Sequence, residues 1–377
     1  MVLRGLTWKH DRGLAPLLAT AREFAARRPD VSIEWEARSL HEFGDVSVAS
    51  IAKRYDMIVI DHPFMGEVAR DRYLLAWDEM IPRETLETLA SESVGPSHET
   101  YFYEGHQWAL AIDAAAQVSG YRPDLFEAAG VSLPKTWRQV IELAKSQRRG
   151  FVTPALLPLD SLMCFFSMCA AAGEPCFAAT GRVVGRENGE LALNAIKTLA
   201  DHAAPDALTS NPIAIWERMS ATDDIAYCPL AFGYSNYSRL GYRRSLVSYT
   251  NVPAGGNGAT LGGAGLAITA NCGDVKAAAE YGAWIAGAEC QTTLYVQSGG
   301  QPGNKRAWTD PDANAITNGY FRDTLHTLQH AFVRPRYAGF VDFQTAAAQV
   351  VAEFLKGKGR AAAALDAMDE LYARSVA

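Results

Sequence analysis

The sequence has no apolar stretch able to cross a bilayer. Its longest, residues 162–173, is interrupted by Ser167 and falls short of the roughly 20 residues that a spanning helix needs. Basic charge is also short: 35 Lys and Arg face 42 Asp and Glu, a formal charge of -7. A field of that sign repels phosphates, which excludes nucleic acid and anionic membrane as main partners. The 6 cysteines form no C-x-x-C pair. Cys164 and Cys169 would sit about 140° apart around a helix, a poor disposition for a bridge or a shared metal. Cys176, Cys228, Cys272 and Cys290 are scattered, so all six are expected as buried free thiols. Neither H-E-x-x-H nor G-x-S-x-G occurs, and no second histidine stands at ligand spacing from His62. No cofactor or metal is expected. Repeats and low-complexity tracts are absent as well.

What remains is ordinary globular composition, 49% hydrophobic and 20% charged, in 377 residues. That length suits two lobes better than one core. Residues 17–28 have helical apolar spacing behind Pro16, and 31–37 alternate with period two. Ser39-Leu-His-Glu42 is a candidate capping box. Asp56-Met-Ile-Val-Ile-Asp61 is the continuous apolar run of a doubly covered parallel strand. Alternating strands and helices predict an open α/β sheet with right-handed crossovers. Ligands of such sheets sit beyond the carboxyl ends of the strands, here Trp8-Lys9-His10-Asp11 and Asp61-His62-Pro63-Phe64.

Further along, two strands are expected in close succession, Gly105-His-Gln-Trp-Ala-Leu-Ala-Ile-Asp113 and Ala116-Gln-Val-Ser-Gly-Tyr-Arg122. Pro123-Asp-Leu-Phe126 follows, with a stop at Gly130, and then Leu133-Pro-Lys-Thr-Trp137. Thr136 and Gln139 make a capping box for the next helix. Helices are expected over 162–172, 191–203, 212–219, 274–297, 319–332, 340–355 and 360–373, with strands over 224–230, 246–252 and 262–268. Pro253-Ala-Gly-Gly-Asn-Gly258 is the most Gly-dense linker. A strand follows it rather than a helix, so it reads as a flexible crossing and not as a dinucleotide cradle.

The order of these landmarks resembles the family 1 extracellular solute-binding proteins, the ligand-capturing components of ABC importers. The segment 105–140 resembles their hinge, Phe232-Gly-Tyr234 their Gly-aromatic loop, Gly262-Gly-Ala-Gly-Leu-Ala-Ile268 a strand of theirs, and Gly299-Gly-Gln-Pro302 their turn. The resemblance implies a two-lobe, type II periplasmic-binding-protein-like α/β fold, each lobe an open sheet, with a ligand cleft at the hinge. The expected lobes are 1–112 with 263–310, and 113–262 with the C-terminal helices of 311–377.

It also implies capture of a small polar ligand, a carbohydrate or polyol, by lobe closure, with a membrane permease as partner, a monomeric state and a periplasmic location. No charged segment followed by an apolar one and a cleavage site opens this sequence, so a cytoplasmic location is the alternative. The expected ligand contacts are Trp8, His10, Asp61, His62, Asp113, Trp216, Phe232, Tyr234, Gly263, Arg336 and Tyr337. Flat rings suit sugar faces, whose C–H groups are apolar. Each ring could equally be core, and Arg336 could equally be a solvated surface group rather than a partner of a ligand carboxylate. Ala264 stands where many sugar binders of the family carry a bulky aromatic. Two other classes share these features: an intracellular enzyme with His62, Asp61 and Asp113 as acid-base groups, and a cytoplasmic ligand sensor.

Overall fold

The computed structural model describes residues 1–39, 48–253 and 255–376. Apart from Ser39, the capping box suggested at 39–42 lies outside the described residues. The chain forms two compact units: Met1–Ala115 with Gly262–Ile316 and Pro335–Val341, and Ala116–Leu261 with Thr317–Arg334 and Asp342–Ala377.

The first unit is built on β1 (Val2–Trp8), β2 (Ser32–Arg38) and β3 (Met57–Ile60), with the first half of β4 (Leu110–Tyr121). β1 lies parallel between β2 and β3, as crossover helices require. The helix Asp11–Arg27 turns Leu17, Ala21 and Phe24 onto one face of the sheet, where they meet Ile33 and Trp35. Helix Met65–Asp71 contributes Met65 and Val68 to a second apolar cluster with Ile58 and Ile60. Both sheet faces are thereby covered, which explains why Met57–Ile60 is buried throughout.

Asp113 and Ala116 do not end and begin separate strands. Leu110–Tyr121 is one 12-residue strand, preceded by a two-residue hairpin arm at His106–Gln107. The residues between, Ala114 and Ala115, are buried and carry no turn chemistry. The expected long helix over 274–297 is also divided. Val275–Ala286 stops at Gly287, and a single wide turn, Gln291–Tyr295, follows.

The segment 335–341, expected with the second lobe, packs in the first unit. Its backbone lies directly on Gly66, where a Cβ would come within 2.2 Å of the Arg336 carbonyl oxygen. Only glycine allows that approach.

In the second unit the latter half of β4 pairs antiparallel with β5 (Tyr227–Phe232) and β6 (Ser248–Thr250). The register slips between Val118 and Gly120. Helix Trp137–Ser146 starts at the expected Thr136/Gln139 capping box, with the Gln139 N–H donating to Thr136 Oγ1 at 3.2 Å. All six cysteines are free.

Candidate functional site

In the first unit the candidate groups follow from strand direction. β1 and β3 are parallel neighbours, so their carboxyl ends lie side by side. Beyond β1, His10 caps the helix Asp11–Arg27: its Nδ1 accepts the Arg12 N–H at 2.9 Å. Beyond β3, Asp61 caps the turn His62–Phe64, its carboxylate accepting the His62 N–H at 2.8 Å. The His62 Nδ1 lies 3.0 Å from the same carboxylate oxygen, and the ring stands edge-on to Tyr101 at 6.5 Å. Tyr101, whose hydroxyl donates to the Ile60 carbonyl at 3.3 Å, was not foreseen.

Asp113 enters from β4 and meets Arg12. The guanidinium straddles the carboxylate, with Nε donating to Oδ2 at 2.9 Å and Nη2 to Oδ1. Both side chains are almost entirely buried, at 4% and 0% exposure. Burial pushes the Asp113 carboxyl above the usual carboxylate range, and Arg12 pulls it back down. Arg12 also lies 5.8 Å over the Trp8 ring, which is buried against Gly13. Sequence reasoning missed Arg12, the charge partner of a carboxylate 101 positions away. A lone arginine in the first turn of a helix carries no signal of such pairing.

Gly263 sits in β7 (Leu261–Ile268) with φ at +108°, and a Cβ there would lie 2.5 Å from the Asp113 carbonyl oxygen. Its role is close backbone approach. Ala264 is packed in the core with Leu110 and Ile112.

Arg336 differs from expectation. Its Nη1 donates to three carbonyl oxygens, of Glu99 at 3.0 Å, Thr100 at 3.0 Å and Phe102 at 2.8 Å. Through these bonds the guanidinium latches the 335–341 segment to the turn before the hairpin. Tyr337 is half-buried and edge-on to Phe340 at 5.7 Å.

In the second unit Phe232, at the end of β5, is half-buried and Tyr234 is buried, edge-on to Tyr237 at 6.4 Å. Gly233 between them leaves room for the Tyr320 hydroxyl. Trp216 is wholly buried, with Nε1 donating to the Phe232 carbonyl at 2.8 Å and its ring edge-on to Tyr249 at 5.0 Å. It is the wall behind the Phe232–Tyr234 segment.

Asp160 was also passed over. It lies in the first turn of helix Pro158–Ala171, is 8% exposed, and has no ion-pair partner among the described residues. Burial pushes its carboxyl up to about 8. Between about pH 4 and 8 the folded chain then holds a proton that the unfolded chain has released. Stability falls with rising pH across that window, by up to about 1.4 kcal/mol per pH unit. Asp160→Asn should flatten this slope and stabilise the protein at pH 8 relative to wild type. Urea unfolding at pH 5 and pH 8 measures it, and equal slopes in the two proteins would refute a buried neutral acid.

A family model described as bacterial extracellular solute-binding protein matches residues 10–292. Among solved structures, maltose-bound MalE3 of T. maritima shares the fold with a TM-score of 0.84 at 19% identity, covering 98% of this chain and 99% of that one. An ABC transporter solute-binding protein of Agrobacterium radiobacter K84 in complex with ribitol gives 0.78 at 22%, covering 98% and 97%. UgpB of Mycobacterium tuberculosis in complex with glycerophosphocholine gives 0.81 at 16%, covering the whole of both chains. No curated protein matches the sequence.

Proposed function

The chain belongs to the bacterial extracellular solute-binding proteins, and from that premise we propose that it captures a carbohydrate or polyol and delivers it to the membrane permease of an ABC importer. The observation that carries the reading is the set of polar groups at adjacent strand ends of the first unit; the second unit, taken by itself, carries aromatic rings at a strand end. His10, Asp61 and His62 stand beyond the carboxyl ends of adjacent parallel strands of the first unit; in the second unit Phe232 ends β5 and Tyr234 follows it. Hydroxyl-rich ligands present donors and acceptors around their edge and apolar C–H groups on their faces, which calls for both kinds of partner. The maltose and ribitol held by proteins of the same fold support that ligand class.

In this reading His10, Asp61 and His62 hydrogen-bond the ligand, while Trp8, Phe232, Tyr234 and Tyr337 supply apolar surface. Asp113 acts through Arg12, which it orients, Gly263 admits the close strand contact, and Trp216 supports Phe232. Periplasmic residence and a monomeric state complete the proposal.

The enzyme reading uses His62, Asp61 and Asp113 as acid and base. An Asp113 already straddled by a guanidinium is poorly placed to take up a substrate proton, which favours binding over turnover. A thermal-shift screen over sugars and polyols tests the proposal, since a ligand at about 100 times Kd stabilises by roughly 2.7 kcal/mol. At least one sugar or polyol should raise Tm and be recovered chemically unchanged by mass spectrometry. Absence of any shift across the panel would refute the ligand class, and conversion to product would refute the binder.

A further inference from the structure

On the surface of the second unit, two histidines share one helix face. His326 lies in the helix Tyr320–Gln329 and His330 is its C-cap, an i,i+4 pair on adjacent turns. Both are exposed. Their ring centroids are 4.2 Å apart and their planes 33° from parallel.

The hydrogen bonds around the pair fix where its lone pairs are. His330 Nδ1 lies 2.9 Å from the His326 carbonyl oxygen, which can only accept. Nδ1 therefore carries the proton, and the lone pair is on Nε2. His326 Nε2 lies 3.2 Å from Asn257 Oδ1, also an acceptor, so its lone pair is on Nδ1. Each ring is anchored through one nitrogen, leaving a basic nitrogen on the other side. Donation of one ring N–H to an oxygen is how proteins orient histidines that bind metals and raise their basicity.

We propose that His326 and His330 form a two-histidine site for a divalent late transition cation, of the zinc, nickel or copper class. Imidazole nitrogens suit these cations and discriminate against magnesium and calcium, which take oxygen. No cluster of three or more His, Cys, Asp or Glu suited to a metal occurs among the described residues. The pair would thus supply two ligands and water the others, giving an exchangeable surface cation rather than a structural one. The nearest carboxylate on the same helix, Asp323, is held by Arg322 at 2.8 Å. From outside the helix, uncharged Gly256 packs on His326: a Cβ there would come within 2.9 Å of its ring.

Isothermal titration of the full-length, tag-free protein with zinc chloride and with nickel chloride at pH 7.5 tests the site. One equivalent should bind, and His326→Ala and His330→Ala should each weaken it by about ten-fold or more, at least the loss seen when an outer-shell partner of a metal ligand is removed. His106→Ala should leave binding unchanged. Binding should weaken as the pH is lowered to 5.5, because protons compete with the cation for the imidazole lone pairs. Absence of binding by the wild type, undiminished binding in the double variant, or loss in only one of the two single variants would overturn the proposal. Circular dichroism of the variants should match wild type, because both side chains are on the surface.

Discussion

Arg12→Ala should destabilise the protein by about 3–5 kcal/mol, because it strands a wholly buried carboxylate without its cation. Urea unfolding at pH 7 is the measurement. The deficit should depend on pH in a direction set by Asp113. Its carboxyl is already pushed up by burial, and Arg12 is what pulls it down. Without Arg12 it rises further, and an acid whose folded pKa is raised is best tolerated where it is protonated. The variant should therefore lie closer to wild type at pH 4 than at pH 8. Replacing both partners, Arg12→Met with Asp113→Leu, should recover most of the stability, since an apolar pair of similar volume needs no desolvated charge. If the double variant is as unstable as the single one, the charge pairing is not what Arg12 contributes, and its packing against Trp8 is the alternative source.

This pair also shows where sequence reading reached and where it stopped. Period-two alternation located β2 and a continuous apolar run located β3 because each pattern is local, and the Thr136 capping box was legible because its signal fits within four residues. Strand direction then placed His10 and Asp61 at adjacent strand ends. What a side chain meets from a distant segment is not local. Arg12 and Asp113 come together only when β4 pairs into the sheet. Arg336 finds the carbonyls of Glu99, Thr100 and Phe102 only because Gly66 lets the 335–341 backbone settle on a helix some 270 positions earlier. A surface arginine and a latch have the same sequence signature. The merging of two expected strands into Leu110–Tyr121 has a different origin: a polar residue at 113 suggests an end, yet a buried cation allows the strand to continue past it.

Trp216→Ala should also destabilise by about 3–5 kcal/mol, the range for emptying a large aromatic site in a core. The indole fills space that β4 keeps open with glycine: a Cβ on Gly120 would lie 2.4 Å from the Trp216 ring. On its other side it meets Tyr249, which in turn stands edge-on to Tyr320 at 4.9 Å. These contacts make it core, the alternative to the ligand contact that the resemblance implies. The two roles separate in Trp216→Phe. A ligand-stacking ring would be replaced by another flat ring at full stability, with affinity changed. A core ring loses packing volume and also the N–H bonded to the Phe232 carbonyl, for which about 1–3 kcal/mol of stability is the usual loss. Affinity for a sugar or polyol identified by thermal shift should then fall only modestly, as the Phe232–Tyr234 segment loosens. Unfolding and binding measured on both variants decide the matter: unchanged stability with lost affinity would return Trp216 to the ligand surface.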